Sequence, residues 1–150
     1  TGSNSHKWMK IRWNDIMFQR RYNCLLAYKQ SKLCNMLFAA EFNRRFSKRL
    51  GIKAFVVDPG LVDTAIGCKR TGRLTSRFWS LRRRGGVSPE EAAKTYLWLC
   101  GQKEHPEGLY FGDCTARRGS RRSESEADAR RLFALSETLC GIAFEEGAPV

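Results

Sequence analysis

Tyr28 and Lys32 stand four residues apart in the run Tyr28-Lys29-Gln30-Ser31-Lys32. On a helix that spacing puts both side chains on one face, with about 6 Å of axial rise between them. A phenol ionises near pH 10 and is a poor proton donor or acceptor at neutral pH until its anion is stabilised. A neighbouring ammonium supplies that stabilisation. Bringing a phenol to about 7 takes about three pK units, on the order of 4 kcal/mol. The pair therefore points to acid–base work at a substrate oxygen. Tyr22, Tyr96 and Tyr110 have no Lys four residues on. Taken alone, the pattern also describes a helical Tyr at the edge of a core beside an exposed Lys.

Positioning such a pair requires a rigid helix. Asn23 suits an N-cap, and Leu26, Leu33, Leu37 and Ala40 recur at helical spacing, widened by Leu25, Met36, Phe42 and Phe46. Arg44, Arg45, Lys48 and Arg49 favour the C-terminal end of the dipole, and Gly51 ends the run, which predicts a helix over 23–50. Ile52 to Val57 is short, apolar and β-branched and is stopped by Asp58-Pro59-Gly60, as a buried strand is. Ser88-Pro89-Glu90-Glu91 starts a second helix, expected over 88–100. Leu109-Tyr110-Phe111 reads as a second strand, parallel to the first. Ala116 to Arg122 reads as a basic loop, and acids before bases between Glu124 and Cys140 mark a last helix. Residues 1–21 read as irregular, and 61–87 as a long basic connection of the lid type. The order implies α/β architecture with helices on a parallel sheet.

The chain has 150 residues, with 27 Lys+Arg against 15 Asp+Glu and a formal net charge of +12. That length fits one domain, and 42% hydrophobic residues are too many for a disordered chain. No run approaches the ~20 apolar residues of a membrane-spanning helix, and the amino terminus shows no signal-peptide core. It lacks an initiator Met, which suggests a piece of something longer. Six cysteines, at 24, 34, 68, 100, 114 and 140, contain no Cys-x-x-Cys pair, so no structural zinc site is expected. Cys24 and Cys34 sit about 15 Å apart along one helix, beyond the ~7 Å a disulfide tolerates. All six read as reduced thiols, mostly small buried side chains, in a reducing, cytoplasmic compartment.

Tyr28 to Lys32, followed by helix, strand and Pro59-Gly60-Leu61-Val62-Asp63-Thr64, resembles the short-chain dehydrogenase/reductase family. That family's signature is Tyr-x-x-(Ser/Ala)-Lys, with Pro-Gly-x-Val-x-Thr about thirty residues later. Ser3-Asn4-Ser5-His6 resembles the Ser-Ser-x-x-His segment of its retinol-dehydrogenase-like branch. The resemblance implies the carboxyl-terminal half of a Rossmann-type doubly wound parallel sheet with flanking helices. Within a single nucleotide-binding domain, 1–22 would be an active-site loop and 23–60 the catalytic helix and strand. Residues 61–87 would be the substrate lid, 88–141 a helix–strand–helix unit and 142–150 a tail.

By the same resemblance, Tyr28 exchanges a proton with the substrate oxygen, while Lys32 favours its anion and holds the nicotinamide ribose. Ser3 orients the substrate oxygen, and Pro59, Gly60, Val62 and Thr64 line the nicotinamide. The cofactor would be NAD or NADP, with NADP preferred. Leu74, Phe78, Trp79 and Leu81 of the lid, and Trp8, Trp13 and Met17 of the early loop, suit a bulky lipophilic alcohol or carbonyl compound. None of the 13 glycines forms the family's glycine-rich phosphate turn, so the isolated chain is expected to bind the cofactor weakly. Any membrane anchor would lie in the amino-terminal part. Apolar surface left open by that part would favour self-association into a homo-oligomer.

Two other readings compete. Lys69, Arg70, Arg73, Arg77, Arg82, Arg83 and Arg84 form one acid-free basic run, and Arg117, Arg118, Arg121 and Arg122 another. Such runs could neutralise the phosphates of a nucleic acid, though a solvated basic face explains them as well. A non-catalytic remnant of the fold is the third reading.

Overall fold

The structure, a computed structural model, describes residues 1–62 and 85–144. Helix α1, Cys24–Phe42, continues through a π turn at Asn43–Ser47 into a last helical turn, α2, Lys48–Leu50. Asn23 caps it, its Oδ1 accepting the amides of Leu25 at 3.1 Å and Leu26 at 3.0 Å. Gly51 closes it with φ +65°, a left-handed conformation that costs glycine little. The expected single helix is thus present, with one turn widened. At that turn Arg44 bonds both carboxylate oxygens of the buried Glu41, and Arg45 donates to Oε1 at 2.7 Å. Asn43 Nδ2 donates to Ala54 O and its Oδ1 accepts from Ala54 N, tying the turn to the segment entering the sheet.

Strand β1, Val56–Val57, pairs in parallel with β2, Tyr110–Gly112, with Val56 opposite Tyr110. The parallel pairing is the one expected. A third strand, β3, Thr115–Arg117, turns back antiparallel on β2. The segment read as a basic loop therefore begins as a strand. Its hairpin turns on Asp113 and Cys114, both at positive φ (50° and 55°). Asn-Gly or Asp-Gly usually marks such a turn, and Cys in the second place hides it. The remaining helices are α3, Pro89–Cys100, and α4, Glu126–Cys140, capped by Ser88 and Ser125. Helix α4 starts two residues later than expected because Ser125 Oγ accepts the Asp128 amide. The opening stretch, read as irregular, contains two 3-10 turns, Asn4–Trp8 and Trp13–Asp15.

Helix α1 is apolar on two sides because it is covered on two sides. Leu33 and Leu37 pack with Ala129 and Leu132 of α4 and with Met9, Ile11 and Phe18 of the opening loop. Met36 and Ala39 pack on Val56 and Tyr110 of the sheet. Alternation along β2 sends the next residue the other way, where Phe111 meets Trp98 of α3 at 6.0 Å and Phe55 at 5.3 Å between ring centroids. Helices on both sheet faces explain why β1 and β2 are buried along their whole length.

Candidate functional site

Tyr28 lies in the second turn of α1, 40% exposed, and Lys32 follows one turn later. The Lys32 ammonium sits 5.2 Å from the centre of the Tyr28 ring. Burial lowers the Lys32 pKa below the ordinary lysine range, and the charge of Asp58 opposes that shift. The four-residue spacing has thus produced contact between the two side chains. Ser31 spends its hydroxyl within the helix, on Tyr28 O at 2.8 Å.

Ser3 is carried by an extended segment (φ −171°) wedged between α1 and β1. Gly2 donates its amide to Val57 O at 2.6 Å, and Asn35 of α1 donates to Thr1 O at 2.8 Å. A Cβ at Gly2 would stand 2.7 Å from Val56 Cγ1, so only glycine lets this segment lie so close to the strand. Ser3 Oγ accepts both the amide and the hydroxyl of Ser5, at 3.3 and 3.0 Å, which leaves its own O–H to donate.

Asp58 joins this segment to the Pro59-Gly60 loop. Its carboxylate is buried and accepts Asn4 N at 3.0 Å, Gly60 N at 3.0 Å and the Tyr110 hydroxyl at 2.7 Å. Arg117 of β3 lies 3.7 Å from the same carboxylate and also pairs with Asp113. Burial, then the bond to Asp58, pushes the Tyr110 phenol well above its ordinary range, so Tyr110 remains a donor. His6, fully buried, stands edge-on to the Tyr110 ring at 5.2 Å. Its Nδ1 lies 2.7 Å from Ser3 O, a carbonyl, so Nδ1 carries the proton and Nε2 is left without a partner among the described residues. Burial lowers the His6 pKa, which keeps the ring neutral.

Asp58 thus links the segment that carries Ser3 to the Pro59-Gly60 loop, and its charge acts on Lys32, whose ammonium meets the Tyr28 ring. Gly60 has φ +74°, and among the described residues no heavy atom lies within 4 Å of where a Cβ would stand. Val62 forms a parallel bridge with Val87, closing the two ends of the 61–87 connection. Thr64, Cys68, the lid residues Leu74, Phe78, Trp79 and Leu81, and the basic run 69–84 lie outside the described residues. Sequence reasoning missed Asp58, His6, Tyr110 and Arg117 as a unit. The available signal was Tyr110 itself, since a phenol inside an apolar strand needs a partner.

Other expectations change. Trp13, read as part of an apolar substrate surface, is held by Asp128 Oδ1 at 3.2 Å and covered by the Arg131 guanidinium at 4.2 Å, so it packs against α4. Arg117 is engaged with carboxylates, which removes it from a basic run that could meet phosphates. Cys100 and Cys140 are exposed and Cys24, Cys34 and Cys114 half-buried, so these thiols are less buried than expected. Among the described residues no helix is long and apolar enough to cross a membrane.

The fold has a solved counterpart. An uncharacterized protein from Mycobacterium Paratuberculosis superposes with a TM-score of 0.66 at 25% identity, over 96% of this chain and 50% of that one. No family model matches the sequence. Retinol dehydrogenase 12 of Mus musculus is 35% identical over 145 residues, 95% of this chain and 45% of the relative. Retinol dehydrogenase 14 of Homo sapiens is 30% identical over 150 residues, 93% of this chain and 43% of the relative. The WW domain-containing oxidoreductase of Homo sapiens is 35% identical over 120 residues, 79% of this chain and 28% of the relative. The chain belongs to the short-chain dehydrogenase/reductase family, in its retinol-dehydrogenase-like branch. It spans less than half the length of these curated relatives.

Proposed function

We propose that this chain is the carboxyl-terminal, proton-transferring half of an NAD(P)-dependent oxidoreductase that interconverts an alcohol and a carbonyl on a bulky apolar substrate. The observation that carries the reading is the Lys32 ammonium 5.2 Å from the Tyr28 ring in a chain of this family. In the reducing direction Tyr28 gives its phenolic proton to the substrate oxygen, and in the oxidising direction it takes that proton back. Lys32 favours the phenolate left behind. Ser3, its lone pairs occupied by Ser5, donates its O–H to the same substrate oxygen. Asp58 and His6 act through the segment that carries Ser3.

The half-buried Lys32 and Gly60, which has no described residue where a Cβ would stand, fit the nicotinamide end of the cofactor. Lys32 would bond its ribose, and Pro59, Gly60, Val62 and Thr64 would line its ring, with NADP preferred over NAD. The bound nicotinamide supplies or accepts the hydride. The pyrophosphate cradle is not among these 150 residues, for no glycine-rich turn occurs in them. The retinoid-like character of the substrate rests on the names of the relatives. The test is turnover of a lipophilic alcohol by the complete enzyme with NAD or NADP. Wild type should turn over, and Tyr28→Phe should lose about 100-fold or more with cofactor affinity nearly unchanged. Retention of more than about a tenth of the rate in Tyr28→Phe would exclude the proton-transfer role.

A further inference from the structure

We propose that a pocket formed by the Lys10–Arg21 loop and α4, apart from Tyr28 and Lys32, binds phosphate groups. The cavity measures about 690 Å³ and is lined by Lys10, Arg12, Arg20, Arg21 and Arg131, with Asp15 the one carboxylate in the wall. None of Ser3, Tyr28 and Lys32 lines it. Gln30, which anchors this loop by accepting Arg12 N and donating to Ile16 O, is two positions from Tyr28. Two residues of helix turn the chain by about 200°, so the pocket and Tyr28 occupy opposite sides of α1.

Among the described residues the charge inside this pocket is only partly neutralised. Asp15 already accepts the amides of Gln19 at 2.7 Å and Arg20 at 3.4 Å and stands 3.8 Å from Arg12. Lys10, Arg20 and Arg21 are exposed and have no ion pair among the described residues. Two of the cations are also held in place. The Arg12 guanidinium lies 4.6 Å over the Phe18 ring, and Arg131 lies 4.2 Å over Trp13, itself fixed by its bond to Asp128. Stacking immobilises a guanidinium by its face and leaves its in-plane N–H groups to bond an oxyanion, which reduces the ordering cost of binding. A cavity of several hundred Å³ with converging cations is larger than one anion needs and suits a phosphate-bearing molecule. The phosphate can be presented by a soluble phosphoester or by a lipid headgroup. Exposed Met17 and Tyr22 beside Arg20 and Arg21 would touch the acyl boundary in the second case.

The experiment uses the full chain and two probes. Inorganic pyrophosphate is titrated by calorimetry, and vesicles of phosphatidylcholine, with and without phosphatidylglycerol, are co-sedimented with the protein. The triple variant Lys10→Ala/Arg20→Ala/Arg21→Ala is compared with Arg118→Ala/Arg121→Ala/Arg122→Ala, which removes equal charge elsewhere. Circular dichroism verifies that both are folded. Saturable pyrophosphate binding, weakened about tenfold or more only in the first variant, supports the site with a soluble ligand. Binding confined to the anionic vesicles and lost only in the first variant supports it with a lipid headgroup. Absence of binding to both probes overturns the proposal. So does equal weakening in the two variants, which would mark a response to net charge alone.

Discussion

The Tyr110 hydroxyl donates to Asp58 Oδ2 across 2.7 Å, from one parallel strand to the residue that ends the other. Both groups are buried, and the same oxygen accepts the Asn4 amide at the head of the first 3-10 turn. One carboxylate thus holds the Ser3 segment, the Pro59-Gly60 loop and two strands at one point.

Removing either partner should therefore cost more than an average hydrogen bond. Tyr110→Phe keeps the ring against His6 and leaves the carboxylate short of one donor, an expected loss of about 1.5–3 kcal/mol. Asp58→Ala strands several buried donors and should lose about 3–5 kcal/mol. Urea unfolding followed by far-ultraviolet circular dichroism measures both. A Tyr110→Phe protein as stable as wild type would show that the Asp58 carboxylate is satisfied without it.

Glu41 makes a second, pH-dependent contribution. Its bonds to Arg44 are the largest cause holding its pKa below the ordinary carboxylate range, with Arg45 adding to the effect and burial opposing it. A depressed folded value means that the stabilisation is present above the unfolded value, about 4.3, and is lost as pH falls through the lower folded value. Glu41→Gln should be less stable than wild type by about 1–3 kcal/mol at neutral pH. That gap should close under acid, as parallel denaturation curves at neutral and acidic pH would reveal. A gap that stayed constant with pH would assign the effect to packing at the π turn.

Lys32 should govern the pH dependence of the complete enzyme. Burial lowers its pKa, so the ammonium is lost at a lower pH than an ordinary lysine's as alkalinity rises. Its support for the phenolate fades over that range. Lys32→Ala should reduce turnover by about 100-fold and weaken cofactor binding. Lys32→Arg, which stays charged, should push the alkaline decline in rate to higher pH. Identical pH–rate profiles for wild type and Lys32→Arg would separate the ammonium from that decline.

Cys34 should resist modification. Burial beside Leu33 and Leu37 pushes its thiol up to about 11, so only about one molecule in a thousand carries the thiolate at pH 8. Cys100 and Cys140 are exposed. Iodoacetamide at pH 8, followed by peptide mass spectrometry, should label Cys100 and Cys140 well before Cys34. Labelling at equal rates would mean that the α1–α4 contact opens readily.

What can be read from the chain alone are the features whose causes lie within a few residues. Asn23 and Ser88 sit beside the amides they cap, Gly51 ends its own helix, and Tyr28 and Lys32 meet because a helix turns every 3.6 residues. The parallel pairing of the two apolar runs follows from the crossover between them, which carries α3. The hairpin at Asp113 and Cys114 escaped because its positive-φ turn lacks the glycine that usually announces one. Only the tertiary structure decided that Asp58 meets Tyr110, 52 residues away, and Asn4, 54 residues away. It alone put His6 against Tyr110 and stacked Arg131 on Trp13. A buried polar group must find a partner, but sequence spacing constrains that choice only within a helix, strand or turn. Across the sheet, the partner is set by which segments the packing of α1 on β1 and β2 brings together.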